Sequence, residues 1–257
     1  MSASGLRGTG TGASRVLGGL AAAGLLWVVV FGLVLSPPDA VQGEYVRYLY
    51  LHVPAAWLAY LSFGITALAS GLYLWRRTRS LGWDRLAGAS AEIGVFFTGL
   101  CLLTGSLWGK KTWGTYWAWD ARLTTTALLF LLFLGYLALR RIPALPEVRA
   151  KRAAIAGLVA FIDVPIVHKS VEWWRTLHQP ATVKVEDAEI DGLMLFSLFV
   201  GVVAFTLLFA WLLLHRTRVA WLEDEVEARG LDLAIAERLA EGRAVDAAAT
   251  EGPEVRA

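Results

Sequence analysis

Apolar residues in this chain fall into blocks that are long and almost free of charge. Residues 17–36 form one uncharged block, 53–75 a second and 192–214 another. Residues 86–109 carry a single charge, Glu92; residues 123–139 carry none, and 153–168 are interrupted by Asp163 and Pro165. A hydrocarbon layer about 30 Å thick takes about 20 helical residues, and lipid offers no partners to open backbone groups. The pattern therefore predicts an all-α integral membrane protein with six transmembrane helices, at 17–36, 53–75, 86–108, 123–139, 153–168 and 192–214. The fifth is the least regular, because only ten uncharged residues precede Asp163.

Polar segments frame these blocks. Residues 1–16 begin MSASGLRGTGTG, a Gly/Ser/Thr-rich stretch expected to be a disordered tail. Residues 215–257 form a charged tail in which WLEDEVEARGLDLAIAERLAEGR reads as amphipathic helix with a break at Gly230, followed by fourteen residues expected to be disordered. That tail is either a solvated stub or a docking helix. The first apolar block is longer than the core of a cleavable signal peptide, and LSPPDAVQG after it makes a poor cleavage site, so it reads as a retained first span.

Composition agrees with the pattern: 56% of the 257 residues are hydrophobic. The net charge of +2 says little, but its distribution says more. Thirteen Lys and Arg lie in the N-terminal tail, in 76–86, in 140–152 and just after the sixth span, against seven in 37–52, 109–122 and 169–191. The positive-inside rule then places both termini in the cytoplasm and the three alternate connections on the other side. One cysteine, Cys101, excludes an internal disulfide and a CxxC redox pair.

The alternate connections hold the unusual chemistry. The first, SPPDAVQGEYVRYLYLHVP, brings three tyrosines and His52. The second, residues 108–124, contains TWGTYWAWDARLT, with Trp113, Trp117 and Trp119 close to Asp120 and Arg122. The third holds Trp173, Trp174, Arg175 and His178, and then an acidic run. An interfacial belt accounts for tryptophans at helix ends, but a belt needs only one or two per end. Three in seven positions suit a platform for a large, flat, apolar ligand. His52 and His178 flank that platform in the neighbouring connections, and neutral imidazole donates to iron, zinc or copper. The absence of HExxH-like spacing argues against hydrolytic zinc. A metalloporphyrin between two imidazoles fits the set, with Lys110, Lys111, Arg122 or Arg175 available to its propionates. His168 is a reserve ligand. Glu92 is close enough in sequence to pair with Arg85, and Asp163 has Lys169 within reach.

The segments LTGSLWGKKTWGTYWAWDARLT (103–124), LHVPAAW (51–57) and SVEWWRTLHQP (170–180) resemble the cytochrome c maturation protein C (CcmC) family, haem exporter proteins of the bacterial inner membrane with a WWD signature. The resemblance runs from about residue 18 to 214. It implies b-type, non-covalently held haem with His52 and His178 as axial ligands of the iron. It also implies a haem platform of Trp108, Trp113, Trp117, Trp119, Asp120 and Arg122, beside Trp173, Trp174 and Arg175. The three alternate connections would face the periplasm and the chain would be a delivery subunit, not an enzyme. Its partners would be the haem chaperone CcmE, the ATP-binding cassette ATPase CcmA, the membrane subunit CcmB, the small single-span CcmD and membrane lipid, with no nucleic acid. A haem lyase and a plain permease subunit are the competing functions. The family pattern carries asparagine where this chain has Asp163.

Overall fold

The computed structural model describes residues 10–178 and 192–250; the acidic run of the third connection lies outside them. Six helical stretches are long and apolar enough to cross a membrane, the number expected. Among the described residues there is no strand, only an isolated bridge between Asp39 and Gly43. Two compact units divide the chain at Thr217.

Helix α1 (Gly12–Trp27) starts on a reciprocal cap. The Ser14 amide donates to Thr11 Oγ1 at 3.2 Å, and the Thr11 amide to Ser14 Oγ at 2.8 Å. A π-helical segment, Val28–Leu35, continues the span until Ser36 turns extended before Pro37. A 3₁₀ turn, Glu44–Tyr48, then leads into α2 (Leu49–Leu74).

At the centre of the bundle α2 packs along α3 (Leu81–Trp113). Gly94 permits the contact: a Cβ there would stand 2.6 Å from the Phe63 ring. Phe63 stacks in turn on Phe133 of α4 (Ala121–Arg140), with centroids 3.7 Å apart. Ala153 and Ala160 of α5 (Pro146–Phe161) complete this layer. Small residues do this work because, in lipid, apolar burial alone does not drive helices together and close backbone approach does.

The fifth span is two helices. A turn at Ile162 separates α5 from α6 (Asp163–Trp173). Pro165 has no amide hydrogen and so cannot continue the backbone ladder there. Asp163 is buried, and its Oδ2 has no hydrogen-bond partner among the described residues. Lys169, expected within its reach, instead pairs with Glu172 at 2.9 Å. Glu92 likewise differs from expectation, accepting from Arg216 Nη2 at 3.0 Å.

The last helix is α7 (Gly192–Thr250). Its membrane portion lies against α1 through a seam of small residues. A Cβ on Gly24 would stand 2.6 Å from that of Ala204, and one on Gly18 would stand 2.8 Å from Trp211 Nε1. Trp27 meets Phe196 edge-on at 5.5 Å. In the second unit, helix continues through Gly230 with no break and reaches Thr250, within the stretch expected to be disordered. One glycine costs a helix only about 1 kcal/mol, and Ala, Leu, Glu and Arg surround it.

Candidate functional site

The three connections expected to carry chemistry meet at one end of the bundle, and hydrogen bonds join them. Trp108 Nε1 donates to Gln42 Oε1 at 2.5 Å, tying α3 to the first connection. Asp39 holds Gln42 in place, its Oδ1 accepting from the amides of Val41 (2.8 Å) and Gln42 (2.7 Å). Asp120 joins the second connection to the third. Its Oδ1 accepts from the Leu123 amide at 2.8 Å as the cap of α4, and its Oδ2 accepts from the Leu177 amide at 2.9 Å. Arg122 adds a further tie, Nε to Ser170 Oγ at 2.9 Å and Nη2 to the His168 carbonyl at 3.0 Å.

The tryptophan segment is only partly a loop. α3 runs through Trp113, so Trp108 and Trp113 stand on its last two turns and not in the connection expected at 108–124. Gly114, at φ +77°, stops the helix, and Lys110 Nζ donates to its carbonyl at 2.9 Å. Residues 114–120 are irregular, so no helical turn puts Trp117 on a face with Trp113. Ser106 Oγ donates to the Tyr116 carbonyl at 2.8 Å and folds this loop back over α3.

His52 sits in the first turn of α2, half-buried, its ring closed in by α3. Nδ1 is 3.1 Å from Thr104 Oγ1, and Trp108 meets the ring edge-on at 5.9 Å. A Cβ on Gly105 would come within 2.8 Å of His52 Cε1, so glycine makes the room for this imidazole. His178, also half-buried, lies 6.2 Å from Trp113 by ring centroids.

The other expected residues form the rim. Trp117 and Trp119 meet edge-on at 5.5 Å; Trp119 is 83% exposed, whereas Trp117 has a buried Nε1 with no partner among the described residues. Trp173 and Trp174 pair at 5.8 Å, exposed, with Arg175 exposed beside them. His168 is exposed and faces the ring of Tyr60 at 6.2 Å. Lys110 and Lys111 lie over the rings of Tyr116 and Tyr45 at 5.2 and 5.7 Å. Sequence reasoning missed Gln42, Thr104, Gly105 and Ser170. Asp39 three positions before Gln42 was a legible turn signal, and Asp120 before an apolar run was a legible helix start. Thr104 and Gly105 lie within the quoted segment 103–124, but nothing marked them off from ordinary small residues of an apolar span.

Among the described residues, no three His, Cys, Asp or Glu side chains gather as a metal-ion site. The end of the bundle instead presents imidazole, indole and isolated hydrogen-bond donors, a combination suited to a planar ligand. This is a polytopic helical membrane protein with an aromatic, histidine-bearing site at one end.

Comparison with known proteins gives that class a family. The family profile described as Heme exporter protein C matches residues 8–232. Heme exporter protein C of Bradyrhizobium diazoefficiens is 45% identical over 231 residues, covering 88% of this chain and 86% of the relative. Its namesake in Escherichia coli K12 is 40% identical over 193 residues, covering 75% and 76%. The one from Haemophilus influenzae is 39% identical over 200 residues, covering 77% and 80%. The chain belongs to the heme exporter protein C family.

Proposed function

We propose that this protein holds b-type haem, without a covalent bond, between His52 and His178 and presents it at the periplasmic face of the bacterial inner membrane. The observation that carries the reading is that His52 and His178 each lie against an indole of the last two turns of α3, at the end where the three connections are tied together. The names of its relatives point the same way. An imidazole pair satisfies haem iron from both faces, and indole surfaces shield the macrocycle. Trp117 Nε1, a buried donor with no partner among the described residues, suits an anionic edge such as a propionate.

Orientation follows from charge. The arginine-rich connections 76–86 and 140–152 lie at the end away from the site, so the positive-inside rule turns the aromatic end to the periplasm. Exposed Trp119, Trp173 and Trp174 form a rim from which haem passes to the chaperone CcmE, with CcmA, CcmB and CcmD as the export complex. The chain acts as a delivery subunit: its imidazoles would hold the iron by exchangeable coordination, with no covalent bond to the porphyrin.

Absorption spectroscopy of the purified protein tests this reading. Bis-histidine bands are expected, reduced in His52→Ala and in His178→Ala and lost in the double variant. Equal haem content and unchanged spectra in all three variants would refute it.

A further inference from the structure

If His52 is to donate to iron, one ring nitrogen must keep its lone pair, and the hydrogen bonds of Thr104 decide which. Thr104 Oγ1 has one hydrogen and two carbonyl oxygens in range, Leu100 at 2.8 Å and Cys101 at 3.2 Å. Carbonyls only accept, so the hydroxyl hydrogen goes to the backbone of α3. Oγ1 then offers only lone pairs to His52 Nδ1, 3.1 Å away, and the contact between them is N–H to oxygen. Neutral imidazole has one ring hydrogen, and with Nδ1 holding it, the lone pair is on Nε2.

The surroundings keep the ring from turning away. Cys101 Sγ is 3.8 Å from Nδ1 and 3.9 Å from Nε2, packing on the ring without singling out either nitrogen. Gly105 admits the Cε1 edge, and Trp108 stands against the ring at 78°.

We infer that Thr104 is a positioning residue for the haem ligand: its hydroxyl oxygen holds His52 in the Nδ1–H tautomer and presents Nε2 as the donor to iron. The inference rests on the haem reading above and assigns Thr104 a role in it. Partners in this position orient a metal-binding imidazole and raise its basicity, and their loss lowers metal affinity by about 10–100-fold.

Two variants and two measurements test it. Thr104→Val keeps the shape and removes the acceptor, whereas Thr104→Ser keeps the acceptor. In the haem-free protein, ¹⁵N spectra of labelled histidine are expected to show His52 protonated at Nδ1 in the wild type and in Thr104→Ser, and shifted toward the Nε2–H form in Thr104→Val. Titration with ferric haem is expected to give about 10-fold or weaker binding for Thr104→Val and wild-type binding for Thr104→Ser. An Nε2–H tautomer in the wild type, wild-type binding by Thr104→Val, or equal loss in both variants overturns the inference. His52→Ala, titrated in parallel, separates the two claims. Loss there with wild-type binding by Thr104→Val sinks only the role of Thr104, whereas no loss there sinks the haem reading as well.

Discussion

Asp120 and Leu177 are 57 positions apart and share a hydrogen bond of 2.9 Å, from the Leu177 amide to the second oxygen of a carboxylate whose first oxygen caps α4. One side chain thus starts a helix and fixes the residue preceding His178. The acidic member of the tryptophan segment is a strut between two connections, and it reaches the imidazole site through the backbone.

Asp120→Ala should therefore affect two regions. Loss of the cap is expected to destabilise the start of α4 by about 1 kcal/mol. Loss of the second bond should speed amide hydrogen exchange at Leu177 and weaken haem binding. Asp120→Asn keeps one accepting oxygen and should fall between. Unchanged exchange at Leu177 in Asp120→Ala would count against the strut.

Gly105→Ala places a methyl group 2.8 Å from His52 Cε1. The ring must shift, at an expected loss of about 1–3 kcal/mol in stability, together with weaker haem binding. Gly64→Ala, where a Cβ meets nothing within 4 Å, is the control: it should leave haem binding unchanged and not lower stability. Thermal unfolding in detergent and haem titration read the two effects.

Trp119 is so exposed that Trp119→Ala should change stability by no more than about 0.5 kcal/mol. Haem capture should nonetheless weaken about tenfold, equivalent to about 1.4 kcal/mol of lost contact. Full capture by this variant would return Trp119 to the role of membrane anchor.

Two ion pairs at the other end should behave differently. Asp84 accepts from both Nη1 and Nη2 of Arg140, with side chains only 3% and 16% exposed. Asp84→Ala strands a buried guanidinium and is expected to cost about 3 kcal/mol or more. Glu92 and Arg216 are 41% and 34% exposed, so Glu92→Ala should cost about 1 kcal/mol or less. Denaturant titration of the two variants gives the comparison, and neither should alter the haem spectrum.

Six spans were legible because uncharged runs of helical length have one physical use in lipid. The aromatic, histidine-bearing connections were legible because indole and imidazole are conspicuous in so apolar a chain. The rest depends on contacts between distant residues. Pairing Glu92 with Arg216 joins residues 124 positions apart, and neighbouring Arg85 was the nearer sequence candidate. The end of α3 at Trp113 is set by Gly114 and Lys110, which leave no trace in a count of apolar residues. Thr104 and Gly105 look like ordinary small residues of a membrane helix until the His52 ring is seen between them.

The seam of Gly18, Gly24 and Ala204 bears on how this protein is made. It joins the stretch a ribosome would release early to one released only after four further crossings. α1 therefore keeps a bare glycine flank in the bilayer until α7 arrives to cover it, so the close packing of the first span is completed only with the last.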